Sequence, residues 1–529
     1  MIEVMTTDQI RVRRREVVKP GSRKFYLAFA VPVVVMLAVA GFLIAGNYFG
    51  GFERENVETV VEGGRRIIKV PAGGNLQSAI NRATGGDIIV LEAGATYNEI
   101  VLPKKNINDF ITIQSSAIDQ LPADARVSPQ QARLMAKITT RGGGKSAVAT
   151  DNGAHHFRFA GIEFVPTAKD YVYNLIYLGA SSNLVSDVPH DLEFDRCLVR
   201  STPNNVTRRG IGLNSANTVI KNSYFEGFAY PQEETQAICG WTGTKNVKIF
   251  NNYIEGGAEN VMFGGSDPAS AELIPQDIEV RGNHFNKPEA WRGKNSMKCL
   301  FEIKNAKRLQ FTDNYLENNW LGAAFRITVR NDGGTAAFST IEDVVIKNNV
   351  VNGAGEGINI LGKDDMYPSQ TLKRLSIVNN LFLNIGEQTY EGGGYFVQVS
   401  NGVDILIANN TSFNRGNITT FHGDLPQNFA FRDNIVGHGN YGIHGFPNIK
   451  SADAQRIFRN NAIVNNRGID AGDTSFPSGN FWVSDIRNVG LVNLAQKNYA
   501  LNPSSKFKGK GTNRSDLGCD VSQMPALRR

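Results

Sequence analysis

One unit recurs along most of this chain and limits what it can fold into. A short run of alternating apolar residues is followed by an Asn or Asp bend and a second short apolar run. VKIFNNYIEG (247–256), LSIVNNLF (375–382) and ILIANNTSF (405–413) are three copies. The second polar position of the bend falls at Asn252, Asn283, Asn314, Asn349, Asn380, Asn410, Asn434 and Asn461, with gaps of 31, 31, 35, 31, 30, 24 and 27 residues. Alternation over four to six positions specifies half-buried strands. Asn suits the bend because it tolerates the left-handed backbone conformation, and stacked copies can bond to one another along an axis. A variable period with a constant unit is how a solenoid absorbs loop insertions. Helical spacing of three and four is absent, and a propeller blade would need units of roughly 40 residues with four strands. The pattern therefore predicts an all-β coil of stacked turns.

The formal charge of +6 is uneven. Residues 1–24 hold seven basic and three acidic side chains, which accounts for four of the six net charges. The body is close to neutral and lacks a basic stripe, so a nucleic-acid partner is not expected. Residues 25–45 (FYLAFAVPVVVMLAVAGFLIA) carry no charge and are long enough to span a bilayer as a helix. With the basic side cytoplasmic, the body is expected outside the cytoplasm as that of a single-pass membrane protein. Cleavage after Ala38-Val39-Ala40, giving a secreted body, is the alternative. Residues 46–66 read as a linker. The four cysteines (Cys197, Cys239, Cys299, Cys519) form no CxxC pair and suggest neither a zinc site nor a disulfide framework.

Before the repeats, residues 75–83 read as a short amphipathic helix, and Gly85-Gly86-Asp87 turns into IIVLEAG (88–94). VPAGGNLQSAINRATGGDIIVLEAGATY (70–97) resembles the capping helix and first rung of the pectate-lyase-like superfamily. The resemblance implies a right-handed parallel β-helix over about residues 67–520, with 521–529 a frayed tail and the last strand of 491–520 capping the open edge. It implies a polysaccharide groove along the strands that include AICGWT (237–242), NVMFGG (260–265), LFEIKN (300–305) and AFRITVRN (324–331).

Period-two logic turns Phe301, Ile303, Phe325, Ile327, Val261 and Phe263 inward. Glu302, Lys304, Arg326, Arg330 and Asn260 then point outward, with Glu259 at a strand entrance. Trp241 and Trp291 are candidate platforms for sugar rings, and Lys294 and Asp267 sit in adjoining turns. Removing a proton beside a carboxylate needs a base and a group to neutralise the developing charge. Lys304 with Arg326 or Arg330 meets that need. The pairing is similar to the chondroitinase-B/alginate-lyase-like β-helix lyases, which place a Lys on one rung and an Arg about one rung later, although EIKNAKR (302–308) departs from their motif. In this reading Lys304, Arg326 and Arg330 are catalytic, and Trp241, Trp291, Asn260, Lys294 and Glu302 bind a uronate-containing polysaccharide. Glu259 and Asp267 are the candidate ligands for a Ca²⁺ ion. Two other functions stay open: a non-catalytic surface module that binds glycan, and a glycoside hydrolase. His155-His156 reads as a turn before a strand rather than as ligands.

Overall fold

The computed structural model describes residues 57–528, apart from 168–169, 181, 204 and 470–475. Each rung has three short strands on three faces of a coil. On the first face Lys245–Phe250, Gln276–Arg281 and Ala306–Thr312 stack in parallel, with Val247 beside Ile278 and Ile278 beside Leu309. On the second, Tyr253–Glu255 stacks on His284–Asn286. On the third, Gln236–Gly240, Glu259–Phe263 and Cys299–Ile303 follow one another. The first face is a 15-stranded sheet. The other two merge into one sheet of 24 strands, because Tyr315–Thr328 and Val350–Leu361 run through the corner between them. Alternate residues from every face, among them Phe263, Phe301, Phe311, Phe325 and Ile327, fill one continuous apolar core.

Both ends are closed. Leu76–Arg82 forms a helix, capped by the Asn75 side chain accepting from the Ser78 N–H at 2.9 Å, and it buries Leu76, Ala79 and Ile80 against the first rungs. Part of the expected linker is structured, since Glu58–Glu62 pairs antiparallel with Arg65–Val70 and ends the first sheet with a charged, exposed strand. Such a strand discourages edge-to-edge association.

At the other end the sequence predicts a capping strand and a frayed tail, and the structure differs. After the small hairpin of Leu491–Asn493 and Asn498–Leu501, the chain doubles back along the Asn corner. Thr512 N–H donates to Asp433 Oδ1 at 2.9 Å, Cys519 N–H to Thr411 Oγ1 at 3.0 Å, and Asp520 N–H to Asn379 Oδ1 at 2.6 Å. Met524 is fully buried with Val350 and Leu381. Those outward apolar side chains on the second face need a cover, and residues 517–527 supply it. Residues 25–45 lie outside the described residues. Among those described, no helix is long and apolar enough to cross a membrane.

The bend divides its work between two residues. The first adopts the left-handed conformation: Asn222, Asn251, Asp313, Asn348, Asn379, Asn409, Asp433 and Asn460 have φ between 53° and 60°. The second forms the ladder. Asn283 Nδ2 donates to Asn314 Oδ1 at 3.1 Å, Asn314 to Asn349 at 3.1 Å and Asn349 to Asn380 at 2.9 Å, and the run continues through Asn410, Asn434 and Asn461 to Asn480. The same oxygens accept the previous rung's backbone N–H, as Asn314 Oδ1 does from Asn283 at 2.9 Å. The same Nδ2 groups reach a strand carbonyl, as Asn314 does to Val280 at 3.0 Å. These amides are buried, so an interrupted ladder leaves donors and acceptors without water. Replacing Asn314 by Ala is expected to cost about 3 kcal/mol, since each orphaned buried group costs ~1–3 kcal/mol. The midpoint of chemical unfolding reads this, and an unchanged midpoint would contradict the structural role of the ladder.

Candidate functional site on the third face

Register fixes which side chains meet. Cys239 pairs with Met262, Met262 with Glu302, Glu302 with Arg326, and Arg326 with Asn359. These form the outward column at intervals of ~4.8 Å, while Phe263, Ile303 and Ile327 form the inward one. Glu302, Lys304 and Arg326 therefore stand on the same outer face, as alternation requires.

Beneath that face lies a buried ionic knot. Glu259 and Glu302 are 0 % and 1 % exposed, and the Lys298 ammonium bridges them, 3.1 Å from Glu259 Oε1 and 2.9 Å from Glu302 Oε2. Gln236 Nε2 donates to Glu259 Oε2 at 2.8 Å, and Arg209 Nε donates to Gln236 Oε1 at 3.0 Å. Burial and the adjacent Glu259 charge push the Glu302 carboxyl up to about 7, against the pull of Lys298. Burial also disfavours the Glu259 carboxylate, but Lys298 and the hydrogen bonds from Gln236 and Glu302 overcome it and hold Glu259 ionised. Burial lowers Lys298, yet the two carboxylates outweigh it and keep it an ammonium. Two carboxyls at such short range divide into one acid and one anion.

Two cations at the surface of this knot are uncommitted. Among the described residues no carboxylate lies within ion-pair distance of Lys304 or Arg326, and the buried Arg326 Nε has no hydrogen-bond partner. Lys304 is half-buried and lies along Gly264 and Gly265, whose φ values are +94° and +89°. A Cβ on Gly264 would come within 2.9 Å of the Lys304 Cβ, so the glycine pair makes room for the lysine. Trp241 stands nearby, with the Arg209 guanidinium 4.9 Å from its ring and Tyr177 at 6.1 Å.

The remaining expected site residues are placed elsewhere. Arg330 is held by Asp364, at 3.4 Å, and by Asp365, so its charge is already matched. Asn260 is buried, and its amide donates to the carbonyls of Ile254 and Asn286 at 2.7 and 2.9 Å, tying a corner together. Asp267 Oδ2 accepts from the Gly333 and Thr335 N–H groups at 3.0 and 2.8 Å and so pins a loop. Trp291 faces a separate cleft of about 800 Å³ with Arg200, Glu226, Tyr230 and Glu255. Lys294 is exposed on the same loop as Trp291.

No protein-family model and no curated protein matches the sequence. Solved structures do match. A mutant of the PL6 family alginate lyase AlyGC superposes with a TM-score of 0.51 at 16% identity, covering 87% of this chain and 57% of that one. The chain has the right-handed parallel β-helix fold. This β-helix thus spans little more than half the length of that lyase. A mannuronic acid specific polysaccharide family 6 lyase from human gut microbiota matches at 13% identity with a TM-score of 0.38, over 77% of this chain and 92% of that one. The A-module of the Azotobacter vinelandii mannuronan C-5 epimerase AlgE6 matches at 10% identity with a TM-score of 0.38, over 77% and 93%.

A Ca²⁺ ion on Glu259 and Asp267 does not fit this β-helix: among the described residues Glu259 groups with Cys299 and Glu302 and not with Asp267, whose Oδ2 pins the loop at 333–335 and whose Oδ1 is buried without a hydrogen-bond partner. Glu259, Cys299 and Glu302 do bring ligand atoms within 4.8 Å of one another. The Lys298 ammonium, however, already lies against both carboxylates, and burial keeps the Cys299 thiol protonated. A hard cation prefers an all-oxygen cage.

Lys298, Arg209 and Gln236 were not singled out in the sequence. Counting back by twos from Glu302 reaches Leu300, a core residue, so the alternation breaks at the strand entrance and conceals Lys298. Arg209 and Gln236 emerge only once the register of their rungs is known.

The raised Glu302 carboxyl has a stability consequence. It keeps its proton in the fold after the unfolded chain has lost it, so its contribution is complete below the ordinary value of 4.5 and is lost as pH rises towards about 7. Glu302→Gln mimics the protonated form. Its unfolding midpoint should fall less than that of the wild type across this window and should exceed it above pH 7. Identical pH profiles for the two proteins would contradict the assignment of the retained proton to Glu302.

Proposed function

We propose that the third face binds a uronate-containing polysaccharide and cleaves it by β-elimination. The observation carrying this reading is the pair Lys304 and Arg326, which among the described residues have no carboxylate within ion-pair distance: Arg326 is the register partner of Glu302 on the next rung, and Lys304 lies two residues beyond Glu302 along the chain. Lys304 acts as the base: the proton at C5 of the uronate moves to its amine, the electron pair forms the C4–C5 double bond, and the C4–O glycosidic bond breaks. The departing oxygen takes a proton, and Lys304, charged in the first step, is the group suited to return it. Arg326 pairs with the uronate carboxylate and offsets the second negative charge that develops there. Trp241 and Tyr177 offer ring faces to the neighbouring sugars, and Arg209 adds positive charge for an acidic chain. Lys298 itself is no base, because its two carboxylates hold it protonated. The N-terminal apolar segment, 25–45, would anchor the β-helix outside the cytoplasm.

A glycoside hydrolase is less well supported. Its two carboxyl groups must face the sugar, whereas Glu259 and Glu302 are buried and bridged by Lys298. Incubation with alginate, pectate and chondroitin, followed by the ultraviolet absorbance of the new conjugated double bond, tests the proposal. At least one polyuronate should give product, and Lys304→Ala and Arg326→Ala should each slow it by about a hundredfold or more. Absence of unsaturated product from every uronate polymer would leave a binding module in place of the lyase. Full activity in Lys304→Ala would remove that residue as the base.

A further inference from the structure

The chain has seven histidines, and three of them meet at one corner, away from the third face. His155 opens the strand His155–Ala160 of the first face, and His190 opens His190–Asp195 on the next rung and is its register partner. The sequence reads His155-His156 as a turn before the strand, but both residues begin the strand itself. His156 takes the left-handed conformation, with φ of 61°, and this folds its ring back towards its neighbours. His155 Nδ1 lies 2.7 Å from His156 Nδ1. The His155 and His190 rings stack at 4.7 Å with 5° between their planes, and the His156 ring stands at 79° and 81° to them. A nitrogen from each of the three rings lies within 4.8 Å of the others. All three side chains are half-buried.

We propose that His155, His156 and His190 bind a divalent transition ion of the Zn²⁺ type and clip the two rungs together. Imidazole nitrogens suit Zn²⁺, Ni²⁺ and Cu²⁺ and do not suit Ca²⁺ or Mg²⁺. The close pair of Nδ1 atoms shares a single proton, which an ion would displace, and one of the stacked rings turns so that its lone pair converges with the other two. Asp191 supplies the outer partner that metal-bound histidines have: its Oδ2 lies 2.6 Å from His190 Nδ1, leaving His190 Nε2 for the ion, and Asn217 Nδ2 holds its Oδ1 at 3.2 Å. The next residue in the His155–His190 column is Ala216, whose short side chain leaves the position beside His190 open. Phe110, 5.3 Å from the His156 ring, walls the other side.

Full-length protein without a purification tag, stripped with chelator and titrated with Co²⁺ and then Zn²⁺, tests the site. Binding of one equivalent of Co²⁺ with the visible spectrum of a nitrogen-ligated ion, its displacement by Zn²⁺, and a rise in the thermal midpoint are expected. Ca²⁺ should do none of these. His155→Gln and His190→Gln should each weaken binding by about a hundredfold or more, and Asp191→Asn by about tenfold, the scale for an outer partner. His156→Asn keeps a residue suited to the left-handed turn, so its loss of binding reports on the ligand and not on folding. No Co²⁺ spectrum in the wild type, or binding that survives His156→Asn and His190→Gln together, would overturn the proposal.

Discussion

The amide-to-amide ladder at the bend is the constraint on which the rest of the molecule depends. A three-residue strand on the second face, such as Tyr253–Glu255, has too few backbone bonds to fix its own direction. The buried Asn beside it bonds forwards to the next Asn and backwards to a strand carbonyl, which sets both the spacing and the turning angle of each rung. Because the ladder holds register, a side chain on one rung acquires a defined neighbour about 31 residues later. From Asn252 onwards, juxtapositions between rungs inherit their precision from that bond.

The third face shows what such register allows. Lys298, Glu259 and Glu302 come from two rungs and pair with one another. Removing one partner of a buried ionic group is far more costly than keeping the set, so the knot acts as a rigid floor. Among the described residues, Lys304 and Arg326 rise from that floor with no carboxylate in ion-pair distance, whereas Arg330, four residues beyond Arg326, is held by acids. The difference between a cation that holds structure and one left for a ligand is therefore set by which loop carries the acids.

Much of the architecture was legible in the chain because both of its periods are physical ones. The Asn column from Asn252 to Asn461 is a ladder in space, and alternation correctly divided Phe301 from Glu302 and Phe325 from Arg326. Positions in long connections were less legible. Asp267, Trp291 and Lys294 follow strands closely, but the path of a loop is not fixed by the strand before it, and each joins different surroundings. Lys298 was hidden by a one-residue break in alternation. The convergence of His155 with His190 depends on a 35-residue rung, and residue spacing alone does not distinguish that rung from a loop insertion. The left-handed residue of each bend also proved to precede the ladder Asn, a division that two adjacent asparagines disguise.

The returning C-terminal segment changes how the coil can come apart. A solenoid ordinarily couples each repeat only to its neighbours and can unravel from an end one turn at a time. Here, residues 512–520 reach back past several turns to Asp433, Thr411 and Asn379. The turns of Asn379, Thr411 and Asp433 are thereby fastened in parallel and not merely in series, and they cannot separate until the strap lifts from its anchor points.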